Sequence, residues 1–452
     1  MTIAELGAQL RSGKLSSLEL VRHALDNIKK RERFNSLITL DEERALNQAT
    51  ERDKELAAGI DRGPLHGIPT AHKDLFCTRG LKTTGGSLVF RDFVPNHDAT
   101  AVDKLELAGA VTIGKANLHE LAYGSTSKNP HYGFVLNPRD PERVAGGSSG
   151  GSAALVAAGF MPMSLGTDTG GSIRIPASFC GVTGFKPTYG RVSRYGVLPL
   201  SFSLDHVGPI GTCVEDCAIA MDAIAGFDSR DETSVNLQNG GFNLPPLSRL
   251  DELTVGLPLN FYFDCIDHEV KAAVHRATLK LEELGAKVVE IKLPDMHGIN
   301  ASARVVQLSE AAALYVNYTD PSQFGADVWS LIEQGRLISA HEYVNAQRLR
   351  ALFRRDFDAV WAKVDLIATP ATPIPAPRVD EQTVQINCEA EDVRIASTRL
   401  VRAINFLGEP AISMPCGRTQ LGLPIGLQLI SPPFTDPELL QVARTLESHL
   451  EA

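Results

Sequence analysis

Two periodicities alternate along this chain, one with apolar residues every three or four positions and one with apolar residues at every second position. The first predicts helices that bury one face, and the second predicts strands of a covered sheet. The clearest helix begins where Ser16 and Glu19 form a capping box ahead of apolar positions from Leu18 to Ile28. Helices are predicted over residues 18–28, 41–58, 98–109, 152–158, 268–284 and 342–357, with a last one from residue 437. Strands are predicted over residues 111–113, 163–165, 253–257, 287–293, 366–369, 411–414 and 425–429.

This order of elements predicts the fold class. Strands that alternate with helices build an α/β fold, in which helices cover a buried sheet. The sequence contains no internal repeat and no low-complexity linker that would mark a boundary between domains. We therefore expect a single domain over residues 1–452.

Composition and charge exclude several function classes. The 452 residues are 43% hydrophobic and 22% charged, as in an ordinary globular protein, and their net charge is −10. That charge argues against a nucleic-acid-binding surface, which needs a basic patch. The first residues lack the apolar core of a signal peptide, and no apolar run is long enough to cross a membrane. The cysteines are odd in number and scattered, which is typical of reduced thiols in a cytoplasmic protein.

The stretch over residues 146–177 is unusually rich in glycine and serine and reads GGSSGGSAALVAAGFMPMSLGTDTGGSIRIPA. Glycine at this density weakens helices and strands, so it indicates that the backbone must approach another group closely. A serine hydroxyl among unpaired backbone N–H groups can act as a nucleophile beside its own oxyanion hole. This stretch is therefore the predicted active site.

Other familiar motifs do not fit. Residues 146–150 match the G-x-S-x-G nucleophile elbow, but that elbow follows a strand, whereas a proline-containing polar segment precedes these residues. The α/β-hydrolase interpretation is therefore disfavoured. No second histidine completes a zinc motif after His119 or His341, and no glycine pattern for nucleotide binding occurs. We therefore predict neither a metal site nor a cofactor.

Lys73 ends a short alternating run and, by itself, is either an exposed residue or a buried functional amine. Together, Lys73, GGSSGGS and GTDTGGSIRIP closely resemble the amidase signature family, whose members use a Ser–cis-Ser–Lys triad. The similarity continues from HGIPTAHKD through GVTGFKPTYGRVS to NFLGEPAISMPCG, and its signature core lies at about residues 60–210. The resemblance implies a mixed central β-sheet covered by helices on both faces, and hydrolysis of amide C–N bonds.

The resemblance also implies a role for each motif residue. Ser172 corresponds to the nucleophile, Ser148 to the bridging serine and Lys73 to the base, with a cis peptide bond between Gly147 and Ser148. Burial has to lower the pKa of Lys73 from about 10.4 before the neutral amine is accessible near neutral pH. The expected oxyanion donors are the backbone N–H groups of Thr169, Gly170, Gly171 and Ser172. Ser149, Asp168 and Arg174 are expected to support the loop, and substrate binding by Asp168 and Arg174 is the alternative.

Two positions bear on the substrate. One branch of the family is the glutamine-hydrolysing A subunit of a tRNA-dependent amidotransferase complex, which holds the amino-acid end of glutamine with an arginine and an aspartate. Arg350 stands where that arginine is expected, but Thr398 replaces the aspartate and cannot pair with an α-ammonium. This departure favours a free-standing amidase that acts on aryl or alkyl amides, carbamates (urethanes) and esters. The glutamine-hydrolysing component of the amidotransferase is the alternative.

The expected pocket is small. Its lining is predicted to include Ala122, Tyr123, Gly124 and Ser125, with a contribution from the loop at residues 200–204. A mainly apolar lining suits an uncharged acyl or aryl group. We therefore expect a small-molecule amide or carbamate as the partner, with no nucleic acid and no membrane, and leave a homodimer open.

Overall fold

A sheet of eleven strands forms the centre of the computed structural model, which describes residues 1–237, 241–387 and 389–450. The strands are β1 Leu37–Leu40, β2 Pro69–Lys73, β3 Val111–Ala116, β4 Lys128–Asn129, β5 Gly133–Phe134, β6 Leu136–Asn137, β7 Asp140–Val144, β8 Met163–Asp168, β9 Thr183–Lys186, β10 His206–Gly211, β11 Thr254–Pro258, β12 Lys287–Ile291, β13 Leu366–Pro370, β14 Thr383–Ile386, β15 Glu389–Asp392, β16 Ala411–Arg418 and β17 Pro424–Ile430. The helices are α1 Ile3–Arg11, α2 Ser17–Arg31, α3 Glu42–Ala57, α4 Thr100–Leu107, α5 Gly150–Ala157, α6 Arg174–Cys180, α7 Val214–Ile224, α8 His268–Glu283, α9 Met296–Leu314, α10 Ala326–Arg336, α11 Ala340–Trp361, α12 Val393–Arg399, α13 Arg402–Leu407 and α14 Asp436–Glu447.

The sheet is mixed, with strand order β1-β3-β2-β8-β10-β9-β16-β17-β13-β11-β12. Strands β3, β2 and β8 are parallel, as are β13, β11 and β12, and the pairs between these groups are antiparallel. Along β13, Leu366 and Ala368 join a core cluster with residues of α8 and α14, whereas Ile367 joins one with residues of α9 and α11. Since successive strand residues face opposite ways, helices cover both faces. The predicted α/β class is confirmed.

Most predicted elements occur close to their predicted bounds, and the capping box of α2 joins Ser16 and Glu19. Two local expectations were wrong. Asp98 does not cap α4, because its side chain accepts from the Arg79 N–H and Ala99 takes the capping position. The polar segment before residue 146 is not all loop, since β7 pairs with β6 there. Helices α9 and α10 and strands β9 and β10 were not predicted.

The strand order brings the two signature segments together. Strands β2 and β8 are parallel neighbours, so their carboxyl ends lie at the same edge of the sheet. Lys73 ends β2 and Asp168 ends β8, immediately before the TGGS segment. Ligand sites in such sheets form outside the carboxyl ends of the strands, and the candidate site lies there.

No helix within the described ranges is both long and apolar enough to cross a membrane. The six cysteines among these residues are free thiols, and Cys388 lies outside the described residues.

Candidate active site

Lys73 is buried at the end of β2, and its ammonium contacts two hydroxyl groups. Nζ donates to Ser148 Oγ at 2.7 Å and to Thr167 Oγ1 at 2.7 Å. Burial lowers the pKa of Lys73 to about 7, although the negative charges of Asp168 and Asp205 oppose the shift. Near neutral pH a large fraction of the neutral amine is therefore present, which a lysine in water does not provide.

The residues on either side of Lys73 have other partners. Asp74 pairs with Lys115 at 3.2 Å and accepts from the Thr84 N–H at 2.8 Å. Its charge therefore does not pair with Lys73. His72 contacts Thr112 Oγ1, and burial lowers its pKa to about 3. The alternation of side chains along a strand explains why neither residue faces Ser148.

Ser172 and Ser148 differ in their access to a cavity of about 200 Å³. Ser172 lines that cavity and is 7% exposed, whereas Ser148 is fully buried behind it, after a cis peptide bond with Gly147. Within the described ranges no hydrogen bond joins the two serine hydroxyls. Catalytic contacts are often long without substrate and tighten in the Michaelis complex. The geometry therefore gives Ser172 access to substrate and Ser148 contact with the amine.

Ser149 joins the two serine-bearing segments. Its Oγ donates to the Thr167 carbonyl at 3.1 Å and accepts from the Thr167 N–H, while its own N–H donates to the Ser172 carbonyl at 3.1 Å. Ser149 thus holds the segments at a fixed distance without facing the cavity.

The TGGS segment offers fewer oxyanion donors than expected. The Gly171 N–H donates to Asp168 Oδ1 at 2.7 Å, so its assignment as a free donor is wrong. The N–H groups of Thr169, Gly170 and Ser172 donate to no acceptor in the described part of the chain. Gly171 has φ +114°, and a Cβ there would lie 2.2 Å from Val401. Glycine is therefore required at this position by backbone geometry.

A buried ion pair anchors this segment. Arg174 Nη2 and Nε lie 3.0 Å from the two oxygens of Asp168, and Asn405 donates to the same carboxylate at 2.8 Å. Burial alone would raise the pKa of Asp168, but the charge and hydrogen bonds of Arg174 hold it well below its usual range. Arg174 also donates to Gln428 at 2.7 Å. Both charges are fully buried and face each other rather than the cavity.

The cavity wall includes more elements, and more charged side chains, than expected. Ala122, Tyr123, Gly124 and Ser125 line it, but so do side chains from α9, α10, α12 and α13. The charged residues are Arg304, Arg394 and Arg402 from these helices, and Asp392 from the end of β15. Most of the lining surface is apolar, as expected, but these four charged side chains were not predicted to lie in it. The loop at residues 200–204 contributes to a different cavity.

The two positions singled out for glutamine lie in different environments. Arg350 is buried outside the cavity, where it donates to the Phe406 carbonyl and to the Ser203 carbonyl. Thr398 lines the cavity, and its Oγ1 accepts from Arg402 Nη2 at 2.7 Å. Arg350 is therefore not available to a substrate in this cavity, whereas Arg402 lies in its wall.

Sequence reasoning missed Thr167, Arg304 and Arg402. Thr167 lies one residue before Asp168 in the signature segment, so its position could have indicated a side chain at the candidate site. Arg304 and Arg402 lie far from the signature in sequence, and no local pattern distinguishes them from other arginines.

Comparison with known proteins shows which relatives and which family model this chain matches. The Amidase family model matches residues 19–440. The A subunit of glutamyl-tRNA(Gln) amidotransferase from Chromohalobacter salexigens is 40% identical over 474 residues, covering 99% of this chain and 96% of that protein. One solved structure, described as a vestigial protein complex that reveals the evolutionary origins of an s-triazine catabolic enzyme, matches with a TM-score of 0.96 at 35% identity. A crystal structure of an amidase matches with a TM-score of 0.91 at 36% identity, and each of the two covers 100% of both chains.

These relatives correct the expected partners. The relative from Chromohalobacter salexigens is, by its name, one subunit of an enzyme that acts on a glutamyl-tRNA. The expectation that a small-molecule amide or carbamate is the sole partner, with no nucleic acid, conflicts with that name and is wrong. Because the family model and the relatives match nearly the whole chain, this chain belongs to the amidase signature family, whose enzymes hydrolyse carbon–nitrogen bonds other than peptide bonds.

Proposed function

We propose that this chain hydrolyses a carboxylic amide through a covalent acyl-enzyme on Ser172, with Ser148 and Lys73 carrying the proton. The observation that carries the proposal is the 2.7 Å contact between Lys73 Nζ and Ser148 Oγ, beside a cavity that Ser172 lines. A serine hydroxyl is a poor nucleophile until a base takes its proton. A buried lysine with a pKa of about 7 can be that base at neutral pH.

The proposed reaction has two halves. Ser172 Oγ attacks the amide carbon while its proton moves to Ser148 and the Ser148 proton moves to Lys73. The carbonyl electron pair moves onto oxygen, where the Gly170 and Ser172 N–H groups stabilise it, each such donor typically contributing about 3–4 kcal/mol. The C–N bond then breaks as the leaving amine takes the proton back through Ser148. Water repeats the sequence on the resulting ester and releases the acid.

We further propose that the chain works as the amide-hydrolysing A-type component of an amidotransferase complex. The 40% identity to such a component over 99% of this chain supports this assignment. In such a complex the released ammonia is the useful product, and the partner subunits supply its acceptor.

A second candidate is a free-standing hydrolase that acts on aryl or alkyl amides and also on carbamates and esters. Thr398 favours it, because this cavity residue bonds to Arg402 and offers no negative charge to an α-ammonium. The acyl-enzyme chemistry is the same in both candidates, so substrate preference separates them.

Two variants test the chemistry. Ser172→Ala should lower kcat by at least about a thousandfold, as removal of a nucleophile usually does, on glutamine, a simple anilide and an aryl carbamate. A serine-reactive fluorophosphonate should label Ser172, as peptide mapping would show. Ser330→Ala is the control, since Ser330 lines the same cavity but its hydroxyl accepts from Gln334 rather than contacting the triad, and its loss should leave the labelling in place. Labelling of Ser148 instead, or an active Ser172→Ala enzyme, would contradict the proposal.

A further inference from the structure

The cavity beside Ser172 is positively charged, although the chain has a net charge of −10. Arg394 at its edge is paired with Asp392 at 3.4 Å. Arg304 and Arg402 have no carboxylate partner in the described residues, since their polar contacts are with Gln334 and Thr398. Two uncompensated cations therefore remain in the wall.

Arg402 lies against the oxyanion segment. The position that a Cβ would take on Gly170 is 3.7 Å from Arg402 Cγ and 3.8 Å from its Nε. That Nε is buried and has no acceptor among the described residues. Burial, together with the positive charge of Arg304, lowers the pKa of Arg402 to about 10, so the guanidinium is still charged at neutral pH.

Two hydroxyl groups in the same wall also lack partners. Tyr123 Oη and Ser125 Oγ are buried, line the cavity and hydrogen bond to nothing within the described ranges. Buried polar groups are nearly always hydrogen bonded. Together with Arg402 Nε, these unpaired groups point to a polar ligand, and the charge of Arg402 points to an anionic one.

We propose that Arg402, assisted by Arg304, binds a carboxylate of the substrate, which is a short amide of net negative charge such as the monoamide of a dicarboxylic acid. This inference rests on the proposed function and adds the substrate class. A guanidinium can donate two parallel hydrogen bonds to one carboxylate. Arg402 lies beside Gly170, so a carboxylate bound to Arg402 would be separated from the reacting carbonyl of the same substrate by only a few bonds. The cavity of about 200 Å³ suits a small substrate.

The same charges disfavour an ammonium in this position. Glutamine carries an α-ammonium as well as a carboxylate, and Thr398 gives that ammonium no counter-charge beside Arg402. The monoamide of glutaric acid is glutamine without this ammonium. We therefore expect it to be the better substrate of the two.

The test compares four amides on one skeleton. Glutaric acid monoamide carries the carboxylate alone, glutamine carries both charges, 4-aminobutanamide carries the ammonium alone, and butanamide carries neither. The monoamides of malonic and succinic acid vary the spacing between carboxylate and amide. Ammonia release gives kcat/KM for each, and at least one monoamide should exceed butanamide by about tenfold or more. Equal rates for anionic and neutral amides would overturn the inference.

Variants of the cavity arginines test which residue causes the preference for an anionic amide. Arg402→Gln should reduce the ratio of monoamide to butanamide about 10- to 100-fold, chiefly through KM, and Arg402→Lys should restore part of it. Arg394→Gln is the matched control, because Asp392 already neutralises that arginine, and it should change the ratio less than about threefold. An unchanged ratio in Arg402→Gln, or an equal loss in Arg394→Gln, would contradict the assignment. Should Arg402→Gln fail to fold, the exposed Arg304→Gln must lower the ratio in the same direction.

A binding measurement separates this inference from the proposed function. Glutarate should protect Ser172 from the fluorophosphonate, whereas its neutral diamide should not, and Arg402→Gln should abolish the difference. A Ser172→Ala enzyme that still turns over amides would refute the acyl-enzyme chemistry. An inactive Ser172→Ala enzyme, combined with equal protection by glutarate and the diamide, would refute the anionic subsite alone.

Discussion

The ammonium of Lys73 donates to Thr167 Oγ1 at 2.7 Å, the same distance at which it donates to Ser148 Oγ. Thr167 lies on β8, the strand beside β2, and its backbone is bonded in turn to the side chain of Ser149. The proposed base is thus positioned by a neighbouring strand as well as by the proposed relay serine.

Thr167→Val should weaken catalysis without opening a cavity, because valine has nearly the shape of threonine. We expect kcat/KM to fall by about 10- to 100-fold, since a misplaced catalytic group can lose that much. Loss of an acceptor also disfavours the charged amine, so the acidic limb of the pH profile should move to lower pH. Thr167→Ser keeps the hydroxyl and should retain both the wild-type kcat/KM and the position of the acidic limb. A fully active valine variant would show that Ser148 alone positions the amine.

The pH profile of kcat/KM should report the neutral form of Lys73. Burial lowers the pKa of Lys73 to about 7, so activity should rise with pH along a limb near that value. Lys73→Arg keeps the charge but cannot lose a proton in the useful range, so it should be as inactive as Lys73→Ala. The pH profile of a His72→Asn variant is the control, and its kcat/KM should rise along the same limb near pH 7. An active arginine variant would exclude Lys73 as the base.

Asp168→Asn should destabilise the protein strongly, because it leaves the buried Arg174 without its counter-charge. Breaking a buried pair costs roughly 3–5 kcal/mol, to be measured as the free energy of unfolding in urea. Asp140→Asn removes the partner of Arg143 in a more exposed pair and should cost under about 1 kcal/mol. A similar small cost at both sites would mean that the Asp168–Arg174 pair contributes little.

The stability contribution of Asp168 should also depend on pH. Its pKa is held below the unfolded value of about 3.9, so the contribution is complete above that pH and is lost as pH falls through the folded-state pKa. The difference in unfolding free energy between the wild type and Asp168→Asn should therefore shrink only below about pH 4. A difference that shrinks between pH 5 and 7 would point to another group.

Thr398→Asp should change substrate preference through Arg402. The new carboxylate would pair with Arg402 Nη2, which now contacts the threonine hydroxyl at 2.7 Å. The variant should lose activity on dicarboxylic monoamides and gain on glutamine, as their relative kcat/KM would show. Thr398→Asn adds no charge and serves as the control. Efficient glutamine hydrolysis by the unmodified chain would mean that Thr398 does not determine the preference.

Local patterns in the sequence predicted much of the fold. The capping box of Ser16 and Glu19 and the helical spacing after it mark α2, and similar patterns mark α8 and α11. Each of these depends on contacts within a few residues, which a single sequence displays directly. Helices α9 and α10 were missed although both line the cavity, and the cavity residue Arg304 on α9 was missed with them.

The candidate triad was likewise readable from its motifs, because GGSSGGS, TGGS and Lys73 occur in a specific order. For the electrostatics of the site, the sequence predicted that burial had to lower the pKa of Lys73 but not how far. A lysine has a pKa near 10.4 in water, and only complete burial beside Ser148 and Thr167 lowers it to about 7. The Gly171 N–H looked free in the sequence, but folding turns it towards Asp168.

The class of fold and the family could thus be predicted from the sequence, because they follow from residue types and motifs at short spacing, and the same motifs supplied the candidate reacting groups. Which distant arginine reaches the cavity depended on tertiary packing. Arg350 matched by position in the sequence, yet it is bonded to the Phe406 carbonyl, while Arg402 lies against Gly170. Spacing along the chain reports the face of one helix or strand. Strand order and helix packing involve the whole chain. They bring residues from separate elements into the wall of one cavity.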